Sequence, residues 1–395
     1  MKYKIFLLIF LGVISAFGPF VTDMYLPSLP SMVDFFDTSI SMVQMGLSFS
    51  MIGLALGQLI FGPLSDKYGR KRPLQVAMIV FCISTLFSIF SPTIEIFIVL
   101  RMLQGMAGAG GIVLSRSIAT DTYDGHDLLK MLAIIGAING IAPICAPVVG
   151  GALVSITGWQ GIFVVLLVIG IFITIATHYL HESLSPQLRK TSSVIGTFKL
   201  LRVVIRNRVF MCYVLQQATA QAILFGNISS APFILQEHYG TSAITFSIFF
   251  AINGLFIGVG SALSAKFRHP ETCVKVSCIG MLSCSAIIAA VLYFDMGIWT
   301  YECVLNPLLG FMGLTLTAST TLALNSERKN AGSASALFGA ICFASGGIVT
   351  PIVGLGNMLH TTANTFLIGA LLSCGFAALA QIIQTRLVAQ QCASR

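Results

Sequence analysis

Twelve stretches of about 20 mostly apolar residues recur along the chain, near 5–29, 42–62, 74–91, 96–114, 131–155, 162–180, 209–234, 244–264, 276–294, 299–324, 332–356 and 364–385. About 20 residues is what an α-helix needs to cross the ~30 Å hydrocarbon core of a bilayer. None of the runs alternates apolar and polar residues as a barrel strand does. Backbone polar groups in lipid must be satisfied within a helix or a closed barrel, so helices are expected throughout. Composition excludes the soluble alternative: 56% of the 395 residues are hydrophobic and 9% are charged, against roughly 25% charged in an ordinary soluble domain. The first run is too polar in its middle, and lacks the small-residue site, for a cleaved signal peptide. The fold class expected is therefore an all-α membrane protein with twelve transmembrane helices.

Orientation follows from the basic residues. With the N-terminus inside, all of the 22 Lys and Arg except Arg101 fall in inside segments, which is the pattern that sets membrane topology. Both termini are then cytoplasmic and the protein lies in the cytoplasmic (inner) membrane. The net charge of +8 serves orientation and attraction to anionic lipid, and calls for no nucleic-acid partner. Ten scattered cysteines without a CxxC pair suggest neither a disulfide framework nor a metal site.

The longest inside segment, 181–208, carries six basic residues and one acid, Glu182. It divides the chain into an N-terminal six-helix bundle, 1–180, and a C-terminal one, 209–395, with itself as a basic cytoplasmic linker. The halves share local patterns. Ala146-Pro147-Val148-Val149-Gly150 returns as Thr350-Pro351-Ile352-Val353-Gly354, 204 residues on; Gly136-Ala137-Ile138 returns as Gly339-Ala340-Ile341, 203 on; and Gly53-xxx-Gly57 returns as Gly254-xxx-Gly258, 201 on. A duplicated six-helix unit is the layout of an alternating-access transporter.

Two charges stand deep in the runs, Asp23 and Arg101. Intramembrane charges are costly and face a cavity or a partner. A carboxyl kept from water can take up and release a proton, which suits Asp23 to proton coupling; the alternatives are a place at the outer interface or a cap on a helix break made by Pro19, Pro27 and Pro30. Arg101 stays protonated and is a candidate to bias a nearby carboxyl or to bind helix carbonyls. The glycines that follow it, Gly105, Gly108, Gly110 and Gly111, suit close helix packing and are not a dinucleotide fingerprint, since no strand precedes them.

Three further groups stand out. The inside loop Gly62-Pro63-Leu64-Ser65-Asp66-Lys67-Tyr68-Gly69-Arg70-Lys71-Arg72-Pro73 reads as a charge-paired latch with Gly69 allowing a tight turn, and Arg116 and Asp121 in the next inside segment are placed to join it. The fifth run holds Gly140, Pro143, Pro147, Gly150 and Gly151, candidates for bending the helix. In the seventh run Gln217 and Gln221 share a helix face, lining a cavity or bonding between helices. Tyr25, Gln104 and Asn139 complete the candidate cavity set.

These motifs resemble the major facilitator superfamily, and within it the drug:proton antiporters of the bicyclomycin and chloramphenicol resistance group. The 62–73 loop is similar to the family's inner-loop signature, Arg101-xx-Gln104-Gly105 to its fourth-helix signature, and Asp23-Met24-Tyr25-Leu26-Pro27 to the group's first-helix signature. Gly140-xx-Pro143-xxx-Pro147-xx-Gly150-Gly151 resembles the antiporter signature, departing from its commonest form, which has Gly and Pro adjacent, in that Ala142 precedes Pro143 and Ala146 precedes Pro147. The resemblance implies the major facilitator fold, proton coupling through Asp23 and Arg101, and an inner gate network that includes Asp66 and Arg70, to which the loop reading adds Gly69, Arg116 and Asp121.

The function expected is proton-coupled efflux of small, mainly lipophilic molecules by a monomer, with the proton as coupling ion, a small-molecule substrate, the lipid bilayer as its setting and no other cofactor. A proton symporter importing a sugar or organic acid is the alternative; the shortage of intramembrane charge favours the apolar cargo. No catalytic constellation is present in the sequence, so an enzyme is not expected.

Overall fold

A computed structural model describes residues 2–189, 201–327 and 330–393. Helices account for nearly all of the ordered backbone: α1 Lys2–Asp23, α2 Leu29–Phe36, α3 Ile40–Tyr68, α4 Lys71–Ile89, α5 Ile94–Thr122, α6 Gly125–His178, α7 Arg208–Pro232, α8 Ala243–Leu263, α9 Pro270–Tyr293, α10 Ile298–Ser326, α11 Ala331–Val353 and α12 Met358–Ala393. A 3₁₀ turn, Leu26–Ser28, joins α1 to α2, and a π-helical turn, Phe233–His238, extends α7.

Among the described residues, eleven stretches are long and apolar enough to cross a membrane. One of them, Ile141–His178, is two helices run together: inside α6, Gly158 alone leaves helical geometry, with φ 67° and ψ −172°. That conformation favours glycine, and the chain turns there between the runs expected at 131–155 and 162–180. Counted as two, they give the twelve spans of the sequence reading. Helical dihedrals persist through Pro143 and Pro147.

Turn chemistry sets the helix limits. Ser39 caps α3 by accepting from the Met42 amide at 3.3 Å, as N-cap serines do. Gly69 ends the same helix at φ 88°, and Gly297 at φ 85° opens α10.

The chain forms two compact units. Unit one holds Met1–Val194 with Ala231–Ala251, and unit two holds Ile195–Ser230 with Ile252–Arg395. Part of the expected linker, 190–200, lies outside the described residues. Lipid offers no hydrophobic drive between helices, so small residues that admit close backbone contact do the packing. In unit one, α3 and α5 cross through reciprocal glycines: a methyl on Gly53 would strike the Met102 carbonyl and one on Gly105 the Ser50 carbonyl. Unit two repeats the device between α8 and α10, where Gly260 meets the Gly310 carbonyl and Gly313 the Ile257 carbonyl. The repeat therefore pairs Gly53 with Gly260 and Gly105 with Gly313, 207 and 208 residues apart. This corrects the offset of 201 read from Gly254-xxx-Gly258; Gly258 has nothing within 4 Å of an added methyl, whereas Gly57 abuts the Met106 carbonyl. Spacing alone did not separate a crossing glycine from one on an open face.

Candidate functional site

The first half of the site is the broken end of α1. Asp23 is its last residue and only 6% exposed. Beside it the Thr22 hydroxyl donates to the Gly18 carbonyl at 3.2 Å. After Asp23 the chain turns through Met24 and Tyr25 into the 3₁₀ segment, where the Ser28 amide and hydroxyl both donate to the Tyr25 carbonyl, at 2.9 and 2.6 Å. From α6, Gly150 lies against this turn so closely that a methyl there would collide with the Met24 carbonyl. Gly151, beside it, faces Ser247, whose hydroxyl donates to the Pro147 carbonyl at 2.7 Å. The glycines of the fifth run thus seat the end of α1, a role in addition to any bending. Pro143 lies in the same stretch; the surroundings of Gly140 and the side chain of Asn139 lie outside the described residues.

Arg101 supplies the second half. It is wholly buried in α5. One terminal nitrogen donates to the Val21 carbonyl at 2.9 Å and the other to Gln104 Oε1. Its guanidinium lies over the Tyr25 ring, 4.2 Å from the centroid, and 5.6 Å from that of Phe163, in the range of a cation–π contact. Val21 is among the last four residues of α1, whose carbonyls have no intrahelical partner and carry the negative end of the helix dipole. Arg101 meets that need. The chain of bonds continues as Gln104 Nε2 donates to Thr85 Oγ1 at 2.7 Å and Thr85 donates to the Phe81 carbonyl at 2.7 Å. Tyr25 and Gln104, expected to line a cavity, are both fully buried in this assembly.

Aromatic rings close over the arginine. Phe163, Phe97 and Trp159 stand in mutual contact with centroids 5.5–5.7 Å apart, Tyr25 adds to Phe163 at 5.8 Å, and Phe36 to Trp159 at 5.5 Å. This apolar cover keeps water from Arg101 and strengthens its electrostatic interactions.

A separate ionic cluster forms at the loop between α3 and α4. Arg70 is 7% exposed. It donates from Nε to Asp121 Oδ2 at 2.7 Å, and from one terminal nitrogen to Asp66 at 2.6 Å and Ser65 at 2.8 Å. Burial works against the charged guanidinium, but Asp121 and Asp66 together hold it above its ordinary range. The structure therefore brings Asp66, Arg70 and Asp121 together. Arg116 is exposed and forms no ion pair among the described residues. Glu182, absent from the expected set, completes the cluster: its carboxylate accepts from the Arg70 amide at 2.8 Å and the Lys71 amide at 3.3 Å, at the start of α4, where a negative group is favoured. Gly69 is required by its φ of 88°, and the Glu182 carboxylate lies against it. The signal for Glu182 was its being the single acid among six basic residues.

In unit two, Gln217 donates to Gln221 at 3.2 Å, so the structure brings these two together on α7. Their neighbour Gln216 is fully buried; it donates to Ser373 Oγ at 2.9 Å and accepts from Ser319, which makes it a junction between α7, α10 and α12.

Intramembrane charge is not confined to Asp23 and Arg101. Glu302, in the second turn of α10, is 3% exposed, and the Asn253 amide of α8 faces its carboxyl. Beside it the Tyr301 hydroxyl donates to Asn227 Oδ1 at 3.0 Å. Glu302 lies inside the run expected at 299–324, close to one end of it, and is absent from the expected set.

Comparison with known proteins agrees with this architecture. Residues 8–351 match the family model described as Major Facilitator Superfamily. An uncharacterized MFS-type transporter, YdgK, of Bacillus subtilis (strain 168) is 35% identical over 90% of each chain. A bicyclomycin resistance protein homolog of Haemophilus influenzae is 27% identical over 91% of this chain and 92% of its own. Among solved structures, the xylose transporter XylE from E. coli in a partially occluded inward-open conformation superposes with a TM-score of 0.74 at 12% identity, covering 95% of this chain and 97% of that one.

Proposed function

The chain belongs to the major facilitator superfamily, membrane transporters rather than enzymes, and we propose that it exports small, mainly lipophilic drug-like molecules across the cytoplasmic membrane in exchange for protons. In this reading it is a monomer with both termini inside, as its basic loops require, and its two six-helix halves, joined by the basic segment 181–208, alternate access to the cargo. The observation that carries the reading is Asp23: a carboxyl buried at a helix break, with no ion pair among the described residues. Such a group binds a proton when exposed to the acidic side and gives it up on the other. Arg101 fixes the α1 end against which this happens and carries no proton itself. The Asp66–Arg70–Asp121 cluster with Glu182 latches the inner side. A relative named for bicyclomycin resistance supports the choice of cargo.

The driving force is adequate. One charge crossing about 100 mV supplies about 2.3 kcal/mol, enough for roughly a fifty-fold gradient when 1.4 kcal/mol is tenfold.

The second reading is a proton symporter for a sugar or organic acid. The buried Gln217, Asn227 and Glu302 favour it, since they offer polar partners to a hydroxyl-rich cargo. One experiment separates the two. Proteoliposomes with an acidic interior are given bicyclomycin or chloramphenicol, and proton efflux is followed for wild type and Asp23→Asn. Efflux triggered by the drug in wild type alone supports export. Silence with the drugs, and a pH change in the symport sense with a sugar or organic acid, overturns it.

A further inference from the structure

The buried polar groups of unit two contain an imbalance that the efflux reading does not use. Glu302 and Asn253 are each 3% exposed. The Asn253 amide faces the Glu302 carboxyl, yet neither carboxyl oxygen and neither polar atom of the Asn253 side chain completes a hydrogen bond. One turn further along α10, Asn306 spends its amide on the Glu302 backbone carbonyl at 3.0 Å, and its own Oδ1 also lacks a donor. Tyr301 is committed to Asn227. Five buried polar atoms therefore stand without partners, four of them acceptors, and each has given up its bond to water without a replacement.

The chemistry of these groups says what completes them. An ionised carboxylate beside a primary amide can accept from its N–H but offers nothing to its oxygen. A protonated carboxyl matches the amide at both atoms: its O–H donates to Asn253 Oδ1 while its carbonyl accepts from Asn253 Nδ2. One proton thus satisfies all four atoms of the pair. A metal cation would suit the oxygens and be repelled by the unpartnered N–H, so the two side chains together select the proton.

We propose that Glu302 and Asn253 form a proton-binding pair in unit two, distinct from Asp23 in unit one. The proton is taken from water and returned to it, with no other bond made or broken. No charged side chain acts on this carboxyl among the described residues. On the elements of unit two, Arg208, Tyr213, Glu271 and Lys275 stand near the starts of α7 and α9, at the opposite end of the α9–α10 hairpin from Glu302. Tyr293 is bonded to Asn364 and stacked on His360, Asp295 lies in the turn before α10, and α8 and α11 carry no Asp, Glu, Lys, Arg or His. The pair stands without the efflux reading, whereas its place in a transport cycle, as a second proton per turnover, rests on that reading.

Infrared spectroscopy of the full chain in liposomes tests the pair directly. At acid pH a protonated-carboxyl band that downshifts in D₂O is expected in wild type, reduced by one carboxyl in Glu302→Gln and moved in frequency in Glu302→Asp and in Asn253→Leu. Spectra of wild type and Glu302→Gln that superpose overturn the proposal, as does a Glu302 signal that responds to sodium and not to pH. Thermal melting of each variant identifies one that has not folded, and Glu302→Asp then carries the test. Protons moved per bicyclomycin or chloramphenicol molecule are counted in parallel, with a fall by one expected in Glu302→Gln. A Glu302 band without drug-driven proton movement in wild type removes the efflux reading and leaves the pair; drug-driven movement without the band removes the pair and leaves the reading.

Discussion

Arg101 donates to the backbone carbonyl of Val21 at 2.9 Å and makes no ion pair with Asp23, two residues further along α1. The cation and the acid thus act on the same helix end through different atoms. Arg101 holds the end in place, and the carboxyl stays free of a permanent counter-ion.

Arg101→Lys keeps the charge but loses the planar fork that reaches Val21, Gln104 and the Tyr25 face together. A destabilisation of about 1.5–3 kcal/mol is expected from the lost charge-assisted bond, with transport falling although the protein still inserts. Thermal melting in detergent, beside transport in proteoliposomes, checks both.

Gly105→Ala drives a methyl into the Ser50 carbonyl, backbone that cannot step aside. Overpacking of this kind costs about 1–3 kcal/mol. Gly258→Ala, on an open face, is expected within about 0.5 kcal/mol of wild type. Melting curves of the two variants, compared directly, decide whether the crossing is as described.

Gly150→Val is expected to displace the Met24 carbonyl and with it Asp23 and Tyr25. Transport is lost here by misplacement of the site, so drug-driven proton flux falls more steeply than the melting temperature does.

Glu182→Gln removes a charge from the start of α4 while keeping the shape. A loss of about 0.5–2 kcal/mol, the scale of a helix cap, is expected at low salt and less of it at high salt, because part of this carboxylate is open to screening. Melting at the two ionic strengths measures the difference. Gly69→Ala is the harsher change, since it puts a side chain at a positive φ.

Much of the fold was legible because lipid is an uncompromising solvent. Each run had to be a helix. Asp23 and Arg101 were visible as charges out of place, Asp66 and Arg70 as charges clustered in one loop, and Asp121 as an acid in the next segment on the same side. What sequence did not carry was partnership. Val21 contributes only a backbone carbonyl, which every residue possesses, so its role in holding Arg101 had no signal. Glu182 lies 112 residues from Arg70, and nothing local pairs them. Glu302 lies close to one end of its run and is absent from the expected set, and Gly258 misled because a matched spacing does not say which face a glycine presents.

The Glu182 carboxylate that caps the 69–71 turn also gives the protein an order of assembly. Translation delivers Arg70 first, Asp121 next and Glu182 last. Until the chain beyond α6 has been made, the amides at the start of α4 lack the group that completes them, and the turn remains open. Closure of this ionic cluster therefore waits on synthesis of the whole chain through the first six spans, because its last partner, Glu182, lies beyond them.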